Sequence, residues 1–243
     1  KWYFFLIFFY IKRDLYTAAV NDKLITVYNL LLKIDKIPKK CFMKCNYIKK
    51  IAIPVSIARL KDYCFYECSK LKEIIIPSSV TYIGKFSFSY CFELKKITIS
   101  PSVKTIEEGA FQFCFKLEKV ELPSTITTIG KNLFRKCTSL KDIFIPSSVK
   151  SIGSFAFHEC SALEHVFILS PLLSIERHAF KNCSSIVNIK IPSTVQSIEN
   201  NAFNGCTLLS QIEIPPLLNT IEAGMFENCS SLIEITIPQF VTK

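Results

Sequence analysis

From about residue 37 onward, apolar and polar positions along this chain repeat with a spacing of 23 residues. One unit shows the internal pattern. Lys72 and Glu73 precede Ile74, Ile75 and Ile76, and the inward pair Ile74 and Ile76 is separated by one residue. That period of two predicts a short strand over residues 72–76. Pro77 ends it, because proline donates no ladder hydrogen bond and biases Ile76 toward extended backbone. The turn Pro77-Ser78-Ser79 leads into a return segment carrying Val80 and Ile83. Ile83, Ser87, Phe88 and Cys91 then fall at i, i+4, i+5 and i+8, a spacing that predicts one or two turns of helix with these residues on one face. Each unit is therefore expected to run strand, turn, return segment, short helix.

The unit recurs without an insertion. Cysteine stands at 45, 68, 91, 114, 137, 160, 183, 206 and 229. Three residues before each lies a phenylalanine, from Phe42 through Phe134 to Phe226, and three residues after each lies an aliphatic, from Ile48 through Leu140 to Leu232. A single unit has nothing to cover its inward face, so neighbours must stack. The expected fold is an α/β, right-handed solenoid with a parallel β-sheet on its concave face and short helical turns on its convex face. Residues 37–243 form about nine 23-residue repeats of it.

The pattern Ile-Pro-Ser-Ser-Val-x-x-Ile-Gly-x-x-x-Phe-x-x-Cys-x-x-Leu-x-x-Ile is clearest at residues 76–97 and at 145–166, where the second copy ends in Val166. It resembles the BspA-like class of leucine-rich repeats. The resemblance implies a leucine-rich-repeat solenoid with a binding role, of the kind found in surface or secreted proteins of bacteria and parasitic protists that adhere to host proteins or to other cells. It carries over no catalytic residue and names no partner. The chain departs from the pattern at turns: Ser100-Pro101 moves the proline by one, Leu169 replaces it, and Glu107, Glu176, Glu199 and Glu222 stand where Gly84 does.

Residues 1–36 differ from the rest. Trp2 to Ile11 is an unbroken apolar run, about half the length of a membrane-crossing helix. Two readings stay open: the apolar region of a secretory signal with Thr17-Ala18-Ala19 as its cleavage site, or a hydrophobic cap on the end of the solenoid. Membrane association through residues 2–11 belongs to the first. Ile25, Tyr28, Leu30, Ile34 and Ile37 fit the register of a degenerate cap repeat lacking both phenylalanine and cysteine.

Charge is uneven. The whole chain carries a formal +10, and residues 1–122 hold 21 Lys and Arg against 11 Asp and Glu, so the second half is neutral. Lys49, Lys50, Lys72, Lys95 and Lys96 form a basic strip at the start of the early strands. Two readings of the strip stay open: lysines that merely solubilise the outer faces of the early repeats, or a contact for an anionic partner such as an acidic glycan or phospholipid. Nucleic acid is disfavoured, because no recognised binding motif accompanies it.

Exposed strand positions are where a solenoid binds. Seven residues after the cysteine most units carry polar side chains such as Thr98, Glu121, Lys190 and Glu213. Phe144 and Phe167 interrupt this in adjacent units, flanked by Asp142 and His165, and these four are either the candidate site for a protein partner or a pair of rings stacked to protect the sheet locally.

Three chemistries are disfavoured. Equivalent side chains of stacked units run parallel at about 5 Å, too far apart at Cβ for disulfides, so the cysteine ladder reads as buried free thiols. Cys41, Cys45, Cys64 and Cys68 could gather four thiolates around zinc, but Ala110, Ala156, Ala179 and Ala202 fill the slot of Cys41 and Cys64 elsewhere, so that slot is a small buried position. His158, His165 and His178 occupy three different slots with no nucleophile or carboxylate arranged around them. No cofactor, metal or catalytic residue is expected. Asn182-Cys183-Ser184 and Asn228-Cys229-Ser230 match the glycosylation acceptor pattern, but the repeat itself generates both. The expected function is non-catalytic binding or adhesion at the cell surface or after secretion. An intracellular, cytoplasmic scaffold for protein–protein interaction is the alternative, favoured by the reduced-looking cysteines.

Overall fold

In the computed structural model, residues 36–169, 171–239 and 241 are described, and they wind as a parallel β-solenoid whose coil is one 23-residue unit. Lys50 pairs with Glu73, Glu73 with Lys96 and Lys96 with Lys119, one coil per step. The apolar run 2–11 and the degenerate unit around Tyr28 lie outside the described residues.

A coil presents up to three bonded sides to the next. The first is built from the expected strands, three or four residues long, such as Glu73–Ile75 and Asp142–Ile145. Ile74, Ile97 and Ile143 point inward from them while their neighbours face solvent. The second consists of two-residue strands on the return segment, such as Tyr82–Ile83 and Ser151–Ile152. The third is a stack of turns leading up to each cysteine.

That third side corrects the expected helical turns: no helix occurs among the described residues. The residues five before and one before each ladder cysteine take positive φ, as at Phe86 (55°) and Tyr90 (62°) or Asn132 (56°) and Lys136 (60°). Left-handed residues at that spacing interrupt an α-helical ladder before it closes a turn. The backbone amides divide their bonds instead. Asn132, Phe134 and Lys136 donate to Ser154, Ala156 and His158 of the following coil at 2.9, 2.8 and 2.7 Å, while Leu133, Arg135 and Cys137 donate three residues back, to Gly130, Asn132 and Phe134. Ile83, Ser87, Phe88 and Cys91 are buried together, as their spacing suggested, but turns rather than a helix bring them there.

The core runs the length of the solenoid. The rings of Phe42, Phe65, Phe88, Phe111, Phe134, Phe157, Phe180 and Phe203 are fully buried. Successive members stack with centroids between 4.9 Å, for Phe42 and Phe65, and 5.7 Å, for Phe111 and Phe134. Burying each ring stabilises the fold by about 2–3 kcal/mol. All eleven cysteines are buried and none is joined in a disulfide. From Cys68 to Cys229, each ladder thiol donates to the carbonyl of the phenylalanine in the preceding coil, at 3.0 to 3.3 Å.

One joint of the stack, the fault, breaks on two sides at once, whereas the first side alone breaks again between His165–Ile168 and Asn188 and the second side stops after Ser197–Ile198. The first side runs continuously from Lys50–Ala52 to Lys119–Glu121 and resumes only at Asp142–Ile145. The second side runs from Arg59–Leu60 to Thr105–Ile106 and resumes only at Thr128–Ile129. Both interruptions lie between the coil of Cys114 and the coil of Cys137. Only the turn side bridges them fully, with Gly109, Phe111 and Phe113 donating to Lys131, Leu133 and Arg135.

Candidate binding surface

The strands Asp142–Ile145 and His165–Ile168 pair in register, which sets Asp142 beside His165 and Phe144 beside Phe167. All four side chains leave the strands on the solvent side, because Ile143 and Val166 take the inward positions between them. The two phenyl rings stack with centroids 4.5 Å apart and planes 12° apart, yet Phe144 stays 55% and Phe167 41% exposed. His165 Nδ1 lies 2.8 Å from Asp142 Oδ1, and its ring is near-parallel to that of Phe167 at 6.0 Å. The four residues singled out by sequence thus form one exposed cluster.

Beside this cluster the fault opens a groove of about 720 Å³, within the range of small-ligand sites. Glu118, Lys119 and Glu121 line one wall, Lys141, Asp142 and Phe144 the other, and Leu169 completes it. Phe167 covers one face of Phe144, so the opposite face of that ring fronts the groove. Sequence reasoning missed the groove. Its residues had been visible as Glu121 in the exposed strand slot and as Leu169 replacing a turn proline, but nothing in a constant repeat announces that two coils part.

The basic strip holds together less well. Lys49, Lys72 and Lys95 stand one above another, joined through their backbones by bonds from Lys72 to Lys49 and from Lys95 to Lys72 of 2.9 Å each. In the next column Glu73 separates Lys50 from Lys96 in register. Lys50 pairs with Glu73, and Lys95 with Glu118 at 3.6 Å. The column is therefore a chequer of charge rather than a uniform positive stripe.

A second aromatic surface also escaped the sequence reading. On the turn side Tyr90 stacks on Phe113 at 4.4 Å and Phe92 on Phe115 at 5.2 Å, with Arg135 and Lys136 over the ring of Phe113 at 5.7 and 5.6 Å. The recurrence of Phe92 and Phe115 in one slot of adjacent units was the signal available.

The remaining histidines lie on this turn side, next to Phe155, whose ring Arg135 also meets at 5.7 Å. His158 Nε2 meets Glu159 at 3.0 Å, and His178 stacks on Phe155 at 4.6 Å. Burial lowers the pKa of both. Among the described residues, no group of three or more His, Cys, Asp or Glu is placed to hold a metal ion, and no helix is long and apolar enough to cross a membrane. Cys64, in the four-cysteine cluster weighed for zinc, is buried and its thiol pKa is pushed well up by desolvation.

Parallel coils in strict register, a buried Phe and Cys ladder, and strands with alternating inward and outward side chains define a leucine-rich-repeat protein. The chain belongs to the BspA-type leucine-rich-repeat family: the BspA type Leucine rich repeat region matches residues 35–164 and 127–243, with six copies. Among solved structures, it is similar to the T. pallidum leucine-rich-repeat protein TpLRR, with 27% identity over 76% of this chain and 78% of that one and a TM-score of 0.55. A leucine-rich cell surface protein of Faecalibacterium prausnitzii shows 26% identity over 85% and 78% of the two chains, with a TM-score of 0.49. A leucine-rich-repeat protein of Bacteroides ovatus shows 24% identity over 84% and 82%, with a TM-score of 0.40. Among curated proteins none matches.

Proposed function

We propose that this protein is a non-catalytic adhesion or ligand-binding protein, displayed at a cell surface and docking protein partners on its strand face around Phe144 and Phe167. The observation that carries this reading is the stacked, exposed pair. Two large apolar rings stay in water on a face where most other units present polar side chains such as Thr98, Glu121, Lys190 and Glu213 at the same position, Ile75 being the other large apolar side chain there, and exposed aromatics beside a groove are the usual anchors of a protein interface. Membership in the BspA-type family supports a binding role. The lysines at 49, 72 and 96 are the proposed contact for anionic glycans, weakened by the acids interleaved with them.

The test is a solid-phase binding assay with immobilised extracellular-matrix glycoproteins and with heparin, in parallel with antibody labelling of intact, unpermeabilised source cells. The expected results are surface labelling, binding to a matrix protein, and loss of that binding in a folded Phe144→Ala/Phe167→Ala variant. Unchanged binding in the variant removes the site. Eleven cysteines without a disulfide favour one second reading, an intracellular scaffold. Labelling that requires permeabilisation would select it over adhesion.

A further inference from the structure

The groove at the fault has a chemistry narrower than "protein partner". It offers one open aromatic face, that of Phe144, and three carboxylates, Glu118, Glu121 and Asp142, against two ammonium groups, Lys119 and Lys141. In a chain of formal charge +10 this lining holds one more carboxylate than ammonium groups, with Lys95 reaching Glu118 at 3.6 Å and His165 reaching Asp142 at 2.8 Å from outside it. Glu121 occupies the register position of Phe144 one coil back, so a group lying on the ring also lies toward that carboxylate. Glu121 and Lys119 pair at 3.3 Å, but both side chains are largely exposed, so the contact is weak and exchangeable.

The same fold shows what a flat cation does at this spacing. Arg59 and Tyr82 occupy one register position in adjacent coils, and the guanidinium carbon of Arg59 sits 3.8 Å from the centre of the Tyr82 ring. A guanidinium stacked on an aromatic face keeps its edge free for carboxylates, which a compact ammonium cannot do.

The geometry points to the fault groove as a pocket for an arginine side chain of the partner protein, stacked on Phe144 and paired with the carboxylates of Glu121 and Asp142. This deepens the binding role proposed above and rests on it. The partner supplies at this position the cation that Arg59 supplies to Tyr82 within the chain. An aromatic side chain continuing the Phe167–Phe144 stack would gain nothing from these carboxylates, whose present pairs, Glu121 with Lys119 and Asp142 with His165, are exposed and open to exchange with an entering guanidinium.

The experiment titrates the isotope-labelled full chain, by amide chemical shift, with three probes: Nα-acetyl-arginine amide, Nα-acetyl-lysine amide and Nα-acetyl-tyrosine amide. The expected result is saturable movement of the amides of residues 119–122 and 142–145 with the arginine probe. The lysine probe should bind roughly two- to fivefold more weakly, the size of an exposed cation–π contact. Glu121→Gln and Phe144→Leu should each lower arginine affinity by about the same factor, and Phe144→Leu should also abolish the preference over lysine. Both positions are solvent-exposed, and their thermal midpoints report folding independently. Immobile groove amides with the arginine probe, tighter binding of the tyrosine probe there, or unchanged arginine affinity in both variants would each overturn the assignment. Loss of partner binding in Phe144→Ala/Phe167→Ala combined with a silent arginine titration would retain the surface and discard the guanidinium. Arginine binding in the groove with undiminished partner binding by that variant would do the reverse.

Discussion

A buried phenylalanine in this chain is held through its ring and through its carbonyl. The ring of Phe134 lies between those of Phe111 and Phe157, and its carbonyl accepts both the amide of Cys137 at 3.0 Å and the thiol of Cys160 at 3.0 Å. Phe134→Ala removes the ring and leaves a cavity that fixed neighbours on both sides cannot close, so it should lower stability by about 3–5 kcal/mol. A urea midpoint no lower than that of a surface substitution would take Phe134 out of the core. The cysteines have a pH signature. Burial raises the thiol pKa of the ladder members from Cys91 to Cys229, and that of Cys114 and Cys160 from 9.0 to about 12. Above pH 9 the unfolded chain loses thiol protons that the folded chain keeps, so the unfolded state gains stability as pH rises, while below pH 9 the effect vanishes. Stability should therefore fall between about pH 9 and pH 12, by up to ~1.4 kcal/mol per pH unit for each such thiol. Cys160→Ala isolates the effect from other titrations. Under reducing conditions its midpoint should decline less steeply over that range, and identical slopes would show that Cys160 is not protected.

At the scale of the coil, the inward strand residues and the buried ladders could be read from spacing alone, because side chains either face the stack or do not. The turns before each cysteine could not. Ile83, Ser87, Phe88 and Cys91 have helical spacing and share the interior, so a period calculation has no means of separating a helix from two left-handed turns that bury the same residues. The distinguishing signal was compositional: Asn132, Asn182, Asn201, Asn228, Gly109, Gly205 and Gly224 all stand in the two positive-φ slots, where their conformational freedom is used. Coils with Lys, Phe or Tyr there blurred it. The slot itself supplies a test. Asn182 has φ of 60°, and the next coil places Gly205 at the equivalent position with φ of 74°. Asn182→Gly should leave the thermal midpoint nearly unchanged. Asn182→Val, whose branched side chain resists that backbone, should destabilise by about 1–2 kcal/mol. Equal midpoints for the two variants would mean that the turn relaxes away from positive φ at little expense.

Across the whole molecule, stacked repeats contact only their neighbours, so stability is a chain of interfaces and the weakest one divides it. Here the fault between the Cys114 and Cys137 coils lacks two of its three bonded sides, and it coincides with the point where the basic half of the chain gives way to the neutral half. The constant repeat could not reveal this. Cys114 and Cys137 keep the same spacing as every other pair, and only Phe144 stacking on Phe167, away from Glu121, hints at the separation. Individual amides report the fault. Lys104 and Glu107 bond back to Thr81 and Ile83 at 2.9 Å each, and Glu118 to Lys95 at 3.0 Å. Two coils later, Lys150, Gly153 and Glu164 do the same to Thr127, Ile129 and Lys141 at 2.8, 2.7 and 2.8 Å. The equivalent amides at the fault are those of Thr127, Gly130 and Lys141, and among the described residues they find no such partner. Native-state hydrogen exchange should therefore show Thr127, Gly130 and Lys141 exchanging well ahead of both flanking sets, with the blocks on either side opening as separate units. Strong protection at these three amides would mean that the coils close in solution, and the groove beside Phe144 would close with them. Fast exchange there that slows when a partner is bound would instead place the docking site at the weakest interface of the solenoid, where filling the groove with a side chain joins the two blocks.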